Sequence, residues 1–185
     1  MEIKMNKEEL REGLKRLYEY VSPLDYKSVF LEEGNGVPMD TLLLGVTIGE
    51  ELSMDISCNF AHAPEFGDIL HFYGELDLEP LLEENPDAFS ERVILKMING
   101  LNKSLPIGQI VYLTEDSTGK SQKVIGIRYT MLTGLSGEDE LRKCVSIIEM
   151  LMNIYEILCS TLYLLLEGDS LEKAMETLSR ILEED

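Results

Sequence analysis

Thr118-Gly119-Lys120-Ser121 contains the Gly-Lys-Ser with which a phosphate-binding loop ends. Such a loop has its first glycine five positions before the Gly-Lys pair. It also has a helix directly after it, whose N-terminal N–H groups hold the phosphate. Thr114 stands at the first position, and the run that follows, QKVIGIRYTML, alternates Ile125, Ile127 and Tyr129 with Gly126, Arg128 and Thr130. That is the period of a strand. Both requirements fail. The small polar residues from Glu115 to Ser121 fit instead the tip of a Gln109–Met131 hairpin, with Gly119 free to take positive φ.

The other groups capable of chemistry are scattered. His62 and His71 are the only histidines, and with Cys58 they give three ligand types without a recognised metal spacing. Imidazoles satisfied within strands are the simpler expectation. No Gly-x-Ser-x-Gly marks a serine nucleophile. Glu32-Glu33 and Glu83-Glu84 fit solvated faces. No catalytic, cofactor-binding or metal-ligating residue is therefore assigned, and no enzymatic activity is expected.

Charge narrows the partners. Sixteen Lys and Arg against 35 Asp and Glu leave a net of -19 on 185 residues. Such a surface repels nucleic-acid phosphates and anionic lipid, so neither nucleic acid nor membrane is an expected partner, while basic proteins are favoured. Cys58, Cys144 and Cys159 are odd in number and form no Cys-x-x-Cys pair. Cys144 and Cys159, fifteen residues apart on one expected helix, stand about 22 Å from each other, too far for a disulfide. Three reduced thiols point to the cytoplasm, and MEIKMNKEELREGLKRL has no apolar stretch suited to a signal peptide. The apolar run Cys144–Leu166 has the length of a membrane span, but Glu149, Asn153 and Glu156 sit in its middle, so a buried soluble helix is expected.

The elements that would position these residues follow from periodicity. Asn6 with Glu9 is a capping-box pair, and Leu10, Leu14, Leu17 and Val21 predict a helix over Lys7–Tyr20 stopped by Pro23. Short apolar or alternating runs between Tyr26 and Leu78 predict three or four antiparallel strands. Gly34-Asn35-Gly36, Gly49-Glu50 and Pro64 separate them. Asn85-Pro86 predicts a helix start, with Phe89, Val93, Met97 and Leu101 as its core stripe and an end near Lys103. LPIGQIVYL and QKVIGIRYTML are two further strands. A long helix is expected over Glu138–Leu166, stopped by Gly168. Asp169 with Glu172 caps a last helix carrying Leu171, Ala174, Met175, Leu178 and Leu182. The fold class is α+β: one antiparallel sheet of about five strands with helices on one face, ordered α-β-β-β(-β)-α-β-β-α-α. One domain is expected over residues 1–185, with its core at 7–166 and an extra helix over about 170–183.

Within Cys144–Leu166 the residues Ser146, Glu149, Asn153, Glu156 and Ser160 are spaced 3, 4, 3, 4, one narrow polar line down a helix. Nearly everything else is apolar, far wider than the stripe needed to rest on one sheet. A second side must be covered, by the last helix or by another copy of the chain. Met150, Ile154, Tyr155 and Leu158 form the candidate self-association face.

MDTLLLGV (39–46), ILHFYGEL (69–76), INGLNKSLPIGQIVYL (98–113) and VIGIRYTML (124–132), followed by a long apolar helix, resemble the YbjN family. The family has the fold of type III secretion chaperones: helix, three strands, helix, two strands, helix. Asn99 and Asn102 lead into Leu105-Pro106-Ile107-Gly108 as in that family, and Arg128-Tyr129 resembles its Arg-Tyr strand. The resemblance covers Lys7–Leu166 and implies a small acidic homodimer that binds a protein client without catalysis. No catalytic residue comes across. Two other functions fit the composition: a small-molecule or enzymatic domain with a pocket between sheet and long helix, and an acidic decoy for a basic protein.

Overall fold

A computed structural model describes residues 6–24, 26–48, 52–63, 67–84, 90–105, 108–115 and 118–184. Its elements are α1 (Lys7–Val21), β1 (Lys27–Leu31), β2 (Thr41–Ile48), β3 (Leu52–Ala63), β4 (Gly67–Asp77), α2 (Glu79–Glu84), α3 (Glu91–Ser104), β5 (Gln109–Glu115), β6 (Ser121–Leu132), α4 (Glu138–Leu166) and α5 (Leu171–Glu184). The fold is α+β, with one antiparallel sheet of six strands in the order β1-β2-β3-β4-β6-β5 and helices packed on it. Four strands precede α2, one more than the order that the family resemblance implies. The chain divides into two compact units, Met1–Gly74 with Arg128–Met152 and Glu75–Ile127 with Asn153–Asp185. Strands β4 and β6 and helix α4 contribute residues to both.

In the first unit the register aligns Leu42, Cys58 and Phe72 across β2, β3 and β4, and Leu44, Ile56 and Gly74 in the next row. All six are buried. A Cβ on Gly74 would stand 2.9 Å from the Met54 sulfur, so the missing side chain makes room for Met54 beside the row. The N-cap of α1 is the expected capping box: Asn6 Oδ1 accepts from the Glu9 N–H at 2.9 Å, and Glu9 Oε2 accepts from the Asn6 N–H at 2.8 Å. This helix rests on β1, β2 and β3 and buries Leu14, Leu17 and Val21. Arg11 ties it to the start of β2, donating from Nε and Nη2 to the two Asp40 oxygens at 2.8 and 3.0 Å. Asp40 Oδ1 also accepts from the Glu33 N–H at 2.9 Å, fixing the β1–β2 loop.

The α4 helix runs over the expected residues, and its end is a Schellman turn. Gly168, at φ +90°, donates to Leu165 O, and Asp169 N–H reaches back to Leu164 O. Ser146, Glu149, Asn153 and Glu156 are exposed and Ser160 is half-buried, so the polar line is where α4 meets water.

In the second unit α3 runs beside β5. Its buried stripe is Ile94, Met97, Ile98 and Leu101. The expected Val93 is half-buried, because the helix is turned by about one position from the sequence pattern. Its N-cap is Ser90. The expected start at Asn85-Pro86 and the side chain of Phe89 lie outside the described residues, as do the turns at Gly49-Glu50 and Pro64. The short helix α2 has no sequence expectation. Helix α5 begins one residue later than the Asp169 cap implies. Ser170 Oγ accepts from Lys173 N–H at 3.2 Å, while Asp169 pairs with Lys173 Nζ at 2.5 Å. Met175 lies against α3, where its Cε would stand 3.2 Å from a Cβ on Gly100, and Ala174 is buried. The side chains of Leu178 and Leu182 lie outside the described set.

The Arg11 hydrogen bonds hold the Asp40 carboxyl below the usual carboxylate range, against the opposing effect of its burial. Asp40→Ala should lower the melting temperature at pH 7 by about 3–8 °C, the loss of charge-assisted bonds in a chain of this size. A depressed carboxyl stabilises the folded state fully above its unfolded pKa of about 4 and loses that contribution as pH falls through the folded value. The gap between wild type and variant, followed by thermal melts, should therefore close below about pH 4.

Candidate functional site

The sequence-level candidates are dispersed by the fold. Thr118, Gly119 and Lys120 lie between β5 and β6, Ser121 opens β6, and Gly119 takes φ +81°, so a strand follows the glycine directly. This is the expected hairpin tip; Asp116 and Ser117 within it lie outside the described residues. The histidine–cysteine trio does not converge. Cys58 pairs across from Phe72 and His71 pairs with Asn59, so strand alternation sends the thiol to the core and the imidazole to the opposite face. His62 Nδ1 meets Asp68 Oδ1 at 3.1 Å. Burial pushes the thiols of Cys144 and Cys159 up to about 12 and about 11, so neither is a ready nucleophile.

The candidate self-association face also changes character. Ile154, Tyr155 and Leu158 are buried within the chain and belong to its own core; Met150 alone of the four keeps solvent contact. The apolar circumference of α4 is spent largely on intramolecular packing, with Ile147, Ile148, Leu151, Leu162 and Leu165 buried too. By length and composition α4 is apolar enough to cross a membrane, at a mean hydropathy of 1.4.

What the second unit does present is an open strand edge. Strand β5 ends the sheet order. The Asn102 side chain, on α3, meets its first part as a strand would: Nδ2 donates to Ile110 O and Oδ1 accepts from Ile110 N–H, both at 2.9 Å. Backbone groups of Ile110 thus point away from β6. In an antiparallel ladder the direction alternates residue by residue, so those of Tyr112 and Thr114 point the same way. Asn102 satisfies the first position of the edge and leaves the next two without a neighbouring strand among the described residues.

A cavity of about 280 Å³ adjoins this edge. Leu82 and Ile94 give it an apolar side. Tyr112 and Thr114 of β5, Glu91 at the start of α3 and Lys123 of β6 give it polar groups. Burial and the Glu91 carboxylate both push the Tyr112 phenol above its ordinary value, so it stays a neutral donor. No residue of α4 lines this cavity, unlike the pocket between sheet and long helix considered from the sequence. The edge itself was missed in the sequence. Its one signal was Asn102, a residue that disfavours a helix interior, just before an apolar strand.

No family model, curated protein or solved structure matches the chain.

Asn102→Ala should expose an unpaired donor and acceptor at Ile110 and cost about 1–3 kcal/mol in urea unfolding. Asn102→Asp keeps the acceptor and sets a carboxylate against Ile110 O, so it should cost at least as much. Hydrogen exchange at the Ile110 amide should accelerate in the alanine variant and stay slower in the aspartate variant.

Proposed function

We propose that the chain is a non-catalytic protein-binding module that takes an extended client segment as an added strand on β5. The observation that carries this is the pair of outward-facing backbone positions, Tyr112 and Thr114, beside a cavity with room for a client side chain. Strand addition draws affinity from main-chain hydrogen bonds and selectivity from such pockets. The resemblance to the YbjN family points the same way, since secretion chaperones hold extended segments of their clients. A net of -19 favours clients with basic flanks and speeds their encounter. Three free thiols, two of them buried, fit a reducing cytoplasm.

The same cavity supports a second reading, a small polar ligand held between Glu91 and Lys123. Native mass spectrometry separates the two: a co-purifying small molecule favours the ligand, a bound peptide the strand.

Tyr112→Pro removes the outward N–H while leaving the β6 ladder intact, because Tyr112 does not pair with β6 through its backbone. Affinity capture from native cell extract, run in parallel with wild type and Tyr112→Pro, should yield a protein that the variant loses. That protein's mapped segment should slow exchange at the amides of Tyr112 and Thr114. Equal capture by a folded variant, or protection elsewhere, would overturn the assignment.

A further inference from the structure

The open stretch of β5 is bracketed by the two ends of α3. Asn102, near the helix C-terminus, meets Ile110, and Glu91, in the first turn, lines the cavity with Tyr112 and Thr114. The spacings agree. Asn102 to Glu91 is about 16 Å of helix, and Ile110 to Thr114 is about 14 Å of strand. The helix therefore runs antiparallel to β5 beside its edge and carries Glu91 toward the open end. Among the described residues that line the cavity, Glu91 is the only carboxylate and Lys123 the only cation. They do not stand equally close to an added strand. Lys123 is rooted on β6, inside β5 in the sheet order, so a strand laid on the edge lies two strand spacings away, about 10 Å. Glu91 stands on the helix that borders the edge itself. The edge strand, Gln109-Ile110-Val111-Tyr112-Leu113-Thr114-Glu115, has no lysine or proline, the residues that commonly close an edge to foreign strands.

Resting on strand addition at β5, we propose that the client places an arginine or lysine level with Tyr112 and that Glu91 selects it. Residues level with each other on neighbouring strands send their side chains to the same face, so this client residue shares the side of Tyr112 and Thr114. Leu82 and Ile94 cover its aliphatic stem, and the cation at its tip reaches the Glu91 carboxylate. The Tyr112 phenol, kept neutral by burial and by Glu91, offers an acceptor oxygen and a ring face to the same cation. A glutamate there would set like charge beside Glu91. A leucine would cover the carboxylate without giving it a partner. Only a long cationic side chain suits both the apolar and the acidic wall.

Suitable probes are acetylated, amidated peptides of alternating threonine and valine with arginine, leucine or glutamate at the centre, each carrying a fluorophore. Anisotropy titrations with the full chain should rank them arginine, leucine, glutamate. With the arginine peptide bound, exchange should slow at the Tyr112 and Thr114 amides. Glu91→Lys should lower the arginine-to-glutamate affinity ratio about tenfold, the sum of several exposed charge-pair effects. Glu156→Lys changes the net charge equally on the exposed polar line of α4, away from the cavity lining. Screened by about 0.1 M NaCl, it should move the ratio less than about threefold. Glu91→Gln, with a fall of about threefold, serves if the lysine variant fails to fold, as judged by circular dichroism. Equal affinity for the three guests, with Tyr112 and Thr114 still protected, would overturn the selection and leave strand addition standing. So would a ratio that Glu91→Lys and Glu156→Lys change alike. No binding of any guest up to about 1 mM, or binding without protection on β5, would overturn strand addition and the selection with it.

Discussion

The pairing register of β2, β3 and β4 is the constraint on which the first unit depends. It places Leu42, Cys58 and Phe72 in one buried row and Leu44, Ile56 and Gly74 in the next. Side chains alternate with a period of two, so a slip of one residue between any two strands would turn a core row out to water and bring its polar neighbours inward. Ser57, Asn59 and His71 would then be buried in place of Ile56, Cys58 and Phe72. Gly74 adds a steric lock, since only in this register does its bare Cα sit where Met54 needs space. The same alternation that builds the core therefore also composes the outer face. It sets Val29, Leu43 and Ser57 in one outer row and Lys27, Gly45 and Asp55 in the next.

An open sheet must also manage its edges, because unpaired backbone groups recruit other chains. On β5 the fold does so selectively. Asn102 reaches from α3 and satisfies Ile110 with two hydrogen bonds, so pairing by a foreign strand cannot extend past that residue. Beyond it, Tyr112 and Thr114 are left to the cavity side, bounded by Glu91 and by the hairpin tip around Gly119. An edge closed at one end and open for two residues at the other differs from one that is merely neglected. It limits the length and register of anything that adds to it.

Much of this was legible in the sequence wherever the signal is local. The Asn6–Glu9 box, the bounds of α4, the Gly168 stop and the hairpin at Thr118-Gly119-Lys120-Ser121 all follow from chemistry confined to a few residues. The polar line of α4 was readable because its spacing is helical and its residues are few. What could not be read was which neighbour satisfies a surface. An apolar circumference says that two sides are covered, yet the burial of Ile154, Tyr155 and Leu158 inside the chain comes from tertiary packing that no period encodes. The same holds for Val93 and Ile94, adjacent apolar residues of which packing chose the second. Asp169 and Ser170 are both competent N-caps, and the Schellman turn before them decided between the two by fixing where the chain leaves α4.

The acidic composition bears on which partners reach the chain. Charge of one sign works mainly by exclusion, raising the cost of every contact that brings carboxylates together. Where a partner is basic, that field draws it toward the whole chain, and specificity has to come from short-range features such as the two open backbone positions of β5. Where the partner is the same chain, the field opposes contact. A net of -19 thus names no partner by itself; it sets which partners approach and leaves their selection to short-range geometry.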